Sequence, residues 1–277
     1  MQLRDFKNLF VMGGEVNLPK SVTTVISLCG LGLILLVWYF ISYFEVIPTS
    51  ILPNPVKVIM SYGSLYENNH LVANTWFSVK LNLMCYVYAL LISIPVGFFI
   101  SLFPINNIII GRYINSIRYL PIPSISGILI GILGLCFQLK VQFLTLGLII
   151  YIIPTICAKV NDLNNPANDK EYVYIQSIKT MGASAWQKFR YVYFPYVMGS
   201  ISKDIITLVG ISYSYLVIAE LLYRDGVING LGSLIATMTR QSHMSEVYAL
   251  LFFIILIGVV QDAIFKWLDK KIFPWKY

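Results

Sequence analysis

Glu220 stands near the end of an apolar run at about 203 to 222, in a chain of 277 residues that carries only 13 acids. An ionisable group at such a depth in an apolar segment is expensive and is read first as functional, as an ion carrier or a contact to a passing solute. Tyr213 precedes it by two helical turns on about the same face, with Leu216 or Val217 between. The face that runs through Tyr213, Val217 and Glu220 is therefore a candidate lining for a solute path. The competing reading makes Glu220 a structural acid, paired with Arg224 or hydrogen-bonded to the Gly-Leu-Gly loop at 230–232. Ser124 and Ser126, in "YLPIPSIS", could likewise offer hydroxyls to a solute, although capping carbonyls freed by the neighbouring prolines is the better reading.

Other chemistries lack their residues. Cys29, Cys85, Cys136 and Cys157 lie in or beside apolar runs, with no CxxC and no Cys/His grouping, so they read as small hydrophobes rather than disulfides or metal ligands. His70 and His243 sit far apart in polar segments and take no catalytic role. No nucleophile or paired acid and base stands out. A G-x-x-x-x-G-K-[ST] loop is absent, so the backbone amides and lysine that cradle phosphates are missing and any ATP-driven step must draw on another chain.

The elements that must position these residues are membrane spans. Hydrophobic residues make up 57% and charged residues 12% of the sequence, and the mean hydropathy is +0.73, beyond what a water-soluble chain carries. A span needs roughly 20 mostly apolar residues. Six stretches qualify, at about 22–44, 80–103, 119–137, 142–159, 203–222 and 247–266, and together they form one membrane domain over 1–277. The first is too long in its apolar core for a secretory signal and no small-x-small cleavage pattern follows it. Of the 20 Lys and Arg residues, 15 fall on one side when the N-terminus is inside, from Arg4 and Lys7 through Arg112, Lys159 and Lys188 to Lys276. Both termini are thus expected in the cytoplasm. The net charge of +7 follows from this topology and needs no nucleic-acid partner. Pro95, Gly97, Pro121, Pro123, Gly127, Gly131, Gly134 and Pro154 lie inside spans, where they loosen helix backbones and let helices approach closely. The 19 Tyr and 16 Phe suit aromatic belts at the two membrane faces, in contact with lipid.

The loop at about 160–202 is longer than a connection requires. Its stretch "IQSIKTMGASAWQKFRYVYFP" (175–195) predicts a helix over Glu171–Met181, a bend at Gly182 and a second helix over Ala183–Tyr193. Trp186, Phe189 and Tyr193 share a face of the second helix, beside Lys188 and Arg190, whose heads can reach the lipid surface. Pro195 is expected to turn the chain into the next span.

This pattern resembles the EAA motif of the permease subunits of bacterial ABC importers: Glu-Ala-Ala, three free residues, Gly, nine free residues, then Ile-x-Leu-Pro. Gly182 and Pro195 stand at that separation, with Val192 for Ile and Phe194 for Leu. The triplet itself is Gln176-Ser177-Ile178, so the acid of the motif is missing and with it any salt bridge it would make. "LPNPVKVI" (52–59) is similar to the family's "LPSP", "IRYLPIPSISG" (117–127) to its "RPIP" helix start, and "VIAELL" with "GLGSLIA" (217–222, 230–236) to its "VAE…GLG". The flanking sequence is closest to the nitrate, sulfonate and taurine branch.

The resemblance implies an all-α polytopic fold with six transmembrane helices of the type I importer kind and cytoplasmic coupling helices. Gln176, Ser177, Met181, Gly182, Ala183, Ser184, Trp186, Phe189 and Pro195 would meet a separate ATPase subunit, which binds ATP and Mg, so this chain needs no cofactor of its own. A second permease copy, forming a homodimer, and an external solute-binding protein complete the assembly in the bacterial plasma membrane. The solute would be nitrate, a sulfonate, taurine, bicarbonate or a vitamin-precursor-like molecule. A stand-alone secondary transporter or channel built on Glu220 is the alternative; it predicts inverted repeats, and no self-similarity between the halves is apparent.

Overall fold

The computed structural model describes residues 19–276, and every regular element among them is helical. Arg4 and Lys7, two cations assigned to the inner side, lie outside the described residues. Five helices are long and apolar enough to cross a membrane: α1 Lys20–Tyr43, α3 Leu71–Leu102, α6 Phe137–Asn164, α8 Ala185–Leu222 and α10 Met244–Ile272. Between them run α2 Pro55–Asn68, the broken helical stretch α4 Pro104–Tyr119, α5 Ile122–Leu133, α7 Asp169–Thr180 and α9 Leu231–Arg240.

The core is built where α3, α6 and α8 pack together. Leu81, Cys85 and Ala89 of α3 meet Leu144, Leu148 and Ile156 of α6 and Leu208 and Leu216 of α8, all buried. Close approach of α3 to α6 depends on Gly97, where an added Cβ would lie 2.8 Å from Ile156 Cγ2. Pro95 and Pro154 sit inside α3 and α6 without ending them. Cys85 and Cys157 fill core positions, as their surroundings in the sequence suggest. Around this core the large apolar side chains of α1, α4 and the outer faces of α5 and α10 are exposed, Leu33 and Ile34 at 64% and 63%. α1 touches the rest through its end: Trp38 Nε1 donates to Pro53 O at 3.1 Å, and its ring lies 5.7 Å from that of Phe252 on α10.

Two expectations need correction. The third stretch is not one helix over 119–137, because α4 and α5 meet at 103°. The cause is Leu120, which precedes Pro121 and takes extended backbone (φ −70°, ψ 119°), as steric conflict with a following proline ring demands. Pro123 then falls in the first turn of α5, where its missing N–H costs nothing, and Gly134 (φ +70°) ends that helix. α5 has 12 residues, about 18 Å of helix, and cannot cross a hydrocarbon layer of about 30 Å alone. Its Gly127 and Gly131 face open space, not a neighbouring helix of this chain.

The second correction concerns Pro195, which does not turn the chain. The amphipathic helix and the fifth span are one helix of 38 residues, continued through a π-helical turn at Phe189–Tyr193. Pro195 follows that turn in the first turn of Phe194–Leu222. A π-turn re-registers the hydrogen-bond ladder ahead of the residue that has no N–H to give, so the helix continues without breaking.

Candidate functional site

The 175–195 segment folds as a helix, a tight turn and a second helix. α7 ends in a Schellman arrangement: Gly182 N donates to Lys179 O at 3.0 Å and Ala183 N to Ile178 O at 3.3 Å, with Gly182 at φ +70°. That left-handed conformation suits glycine and costs other residues. α8 then opens with a capping box, Ser184 N donating to Gln187 Oε1 at 2.7 Å and Gln187 N to Ser184 Oγ at 3.3 Å. Ser184 is thus a helix cap, which its position before a Gln three residues on makes readable in sequence.

The two helices sort the predicted contact residues into outward and inward sets. Met181 is 81% and Trp186 66% exposed, at the turn and on the first turn of α8. Gln176, Ser177, Gly182 and Ser184 are also exposed and Ala183 and Pro195 are half-buried. Phe189 points the other way, its ring 5.2 Å from Phe98 of α3 and 5.9 Å from Phe194. Tyr193 donates its hydroxyl to Asn164 Oδ1 at 2.6 Å. Ile175 anchors α7 in the core at 1% exposure. The aromatic stripe is therefore divided: Phe189 and Tyr193 tie the unit to the ends of α3 and α6, while Met181 and Trp186 are largely exposed, the Trp186 ring resting on that of Phe189 at 5.4 Å. The result is a rigid apolar knob at one end of the bundle.

At the opposite end Glu220 is fully buried. Ser78 Oγ donates to its Oε1 at 2.6 Å and Gly232 N donates to its Oε2 at 2.6 Å. Ser78 Oγ in turn accepts from Leu231 N at 2.8 Å, and Asn74 Oδ1 accepts from Asn229 N at 3.0 Å and Gly230 N at 2.9 Å. The carboxylate thus caps the first turn of α9 together with two side chains of α3, where the helix dipole favours negative charge. The glycines of "GLG" are shaped by it. A Cβ on Gly230, whose φ is +100°, would fall on the carboxylate, and one on Gly232 would lie 2.6 Å from Val217 Cα. Of the two structural arrangements open in the sequence, hydrogen bonding to the 230–232 loop is the one formed. Arg224 instead directs its guanidinium to Ser233 O at 3.3 Å and Thr237 Oγ1 at 3.4 Å.

The proposed lining residues separate. Tyr213 and Val217 border a groove of about 630 Å³ between α8 and α10, with Leu251, Ile254, Gly258 and Asp262 on the facing side. Glu220 does not border it, and Ser124 lies exposed on α5, away from it. Ser126 Oγ donates to Pro123 O at 2.6 Å, a bond within the first turn of α5.

Several polar groups escape a sequence reading. Tyr213 OH donates to Gln261 Oε1 at 2.7 Å, Gln261 Nε2 to Asn82 Oδ1 at 3.0 Å, and Asn82 Nδ2 to Ser212 Oγ at 2.9 Å. This buried chain joins α3, α8 and α10 behind the groove. Replacing Gln261 by Met leaves Asn82 and Tyr213 without that partner, and thermal unfolding in detergent is expected to register a loss of about 1 kcal/mol. An unchanged midpoint would mean that the three helices do not rely on it. Lys140, on α6, is 1% exposed, its ammonium 5.0 Å from the Phe77 ring and 5.8 Å from that of Tyr223. Asn74, Ser78 and Asn82 recur every fourth residue, a polar stripe that was available as a signal.

The fold and sequence place the chain among known proteins. Over 75% of its length it superposes on 96% of a chain from an inward-facing structure of the MetNI methionine ABC transporter, with a TM-score of 0.56 and 17% identity. Taurine transport system permease protein TauC of Escherichia coli is 23% identical over 264 residues, covering 93% of this chain and 92% of its own. A protein of Methanocaldococcus jannaschii named as an ABC transporter permease is 25% identical over 229 residues, 82% of this chain and 79% of its own. With the spans, the bent pair of helices and the helix-turn-helix unit at 175–195, and with residues 89–274 matching the family model for the binding-protein-dependent transport system inner membrane component, the chain belongs to that family of ABC transporter permeases.

Proposed function

We propose that this permease is half of the membrane path of an importer and that the knob formed by α7, the Gly182 turn and the start of α8 docks in a groove on a separate ATPase subunit. The observation that carries this reading is the division of the 175–195 segment: Met181 and Trp186 are exposed at its tip while Phe189 and Tyr193 fix it to α3 and α6. Because α8 runs unbroken from the knob to Leu222, motion imposed on the knob by nucleotide-driven closure passes along a single helix to the groove and to Glu220. ATP and Mg reside on the partner. A second copy of this chain completes the path by two-fold symmetry, and an external binding protein delivers the solute, a small organic anion of the sulfonate or taurine kind or a similarly small molecule. Both termini face the cytoplasm of a bacterial cell, on the side of the knob. The Glu220-driven transporter is not favoured, since both carboxylate oxygens are engaged in holding α9.

Co-purification of the tagged chain with its ATPase subunit tests this. The wild-type complex is expected to form and hydrolyse ATP in lipid. Gly182→Pro cannot adopt φ +70° and lacks the N–H bonded to Lys179 O, so it should release the ATPase or uncouple hydrolysis from transport. Failure of wild type to bind an ATPase, or indifference to the substitution, removes the coupling role.

A further inference from the structure

The end of the bundle opposite the knob holds a recess of about 280 Å³ between the end of α2, the start of α3, the 224–229 loop and α9. Arg224 lines it and no acid does. The guanidinium forms no ion pair among the described residues; its bonds run to the neutral acceptors Ser233 O and Thr237 Oγ1, at 3.3 and 3.4 Å. A charge-assisted bond to an anionic oxygen would be about 2.7–2.9 Å long and roughly twice as strong. Around the arginine, the side chains of Asn69, His70 and Gln241 line the recess and hold no hydrogen bond among the described residues. Val227, Leu234 and Met238 supply the apolar part of the wall. The recess therefore combines one unpaired cation, neutral donors and a short apolar side, in a volume at or below the lower end of drug-sized sites.

We infer that this recess binds a small organic anion, a sulfonate or carboxylate head on a short carbon chain, with Arg224 as its charge partner. The head replaces the two long bonds of the guanidinium, and the carbon chain lies on Leu234 and Met238. The inference rests on the import reading for its meaning, since it gives the solute a first station where it leaves the delivering protein. It also couples that station to the permease: Arg224 reaches α9 through Ser233 and Thr237, and the first turn of α9 is held by Glu220 of α8.

The test is calorimetric titration of ethanesulfonate, with ethylammonium as the opposite charge, into the full chain in lipid nanodiscs, with and without its ATPase and in the absence of binding protein. Wild type is expected to bind ethanesulfonate and not ethylammonium, and Arg224→Gln to weaken it by about tenfold or more. Gln241→Glu keeps both bonds of Arg224 to α9 and places a carboxylate in the recess, so it should weaken ethanesulfonate too, which a purely structural arginine would not explain. Equal affinity in wild type and Arg224→Gln overturns the inference. So does absence of ethanesulfonate binding to wild type. If no ATPase associates, the import reading fails, while titration of the chain alone still decides the recess.

Discussion

Glu220→Ala is expected to detach the first turn of α9 and to destabilise the permease by about 3–5 kcal/mol, the range for breaking a buried charged group out of its network. The substitution removes the acceptor for Gly232 N and Ser78 Oγ at once. Water cannot replace it without opening the site, because the residue is wholly buried and Gly230 and Gly232 close around the carboxylate. Glu220→Gln retains the shape but turns one acceptor into a donor facing either Gly232 N–H or a Ser78 hydroxyl already accepting from Leu231 N. Its cost is expected to be smaller, about 1–3 kcal/mol. Hydrogen exchange over 231–240 is the discriminating measurement: protection should fall first there in both variants. Preserved protection of α9 with lost transport would return Glu220 to an ion-carrying role.

Met181→Asp combined with Trp186→Asp is expected to weaken ATPase association severely while changing the stability of the isolated permease little. Both side chains are largely exposed, at 81% and 66%, so the permease loses little beyond the contact of the Trp186 ring with Phe189 at 5.4 Å. In the docked state they would be the apolar anchors of the contact, and placing charge on such anchors costs 2 kcal/mol or more, about a thirtyfold weaker complex. Phe189→Ala behaves in the opposite manner. Its ring lies against Phe98 and Phe194 inside the chain, so it lowers the unfolding midpoint and weakens the ATPase contact only through disorder of the knob. A difference in melting between these variants, measured before any partner is added, separates docking residues from supporting ones.

Much of this was legible in the sequence. Gly182 announces a left-handed turn and Ser184 with Gln187 a cap, since both are local rules that need only a few neighbouring residues. Long apolar runs pointed to five of the long helices, but the helices extend well past the membrane-length windows, α3 starting at Leu71 and α8 at Ala185, as polar turns continue a helix that hydropathy alone ends. The bend at Leu120 was present as "YLPIP", but a proline inside an apolar run can either kink a helix or end it. Here the extended backbone at Leu120 and Pro121 decides for an end. Pro195 went the other way because a π-turn, which depends on packing of Phe189 and Tyr193 against other helices, carries no sequence signature of its own. The capping of α9 by Glu220, Ser78 and Asn74 joins residues more than 140 positions apart. Its acid was visible and its loop was weighed as a partner, but the contribution of α3 required the tertiary pairing. The division of the aromatic stripe was hidden for the same reason: a shared helical face does not say which of its members turns inward at a π-turn.

The coupling role of the knob requires that the Gly182 turn touch an ATPase. A photo-crosslinking residue placed at Met181, and separately at Phe189, in the assembled transporter in lipid gives the answer. The prediction is an intermolecular crosslink to the ATPase subunit from position 181 and an intramolecular product from position 189. Crosslinking of position 181 to lipid alone, with the ATPase present and active, would contradict the coupling role.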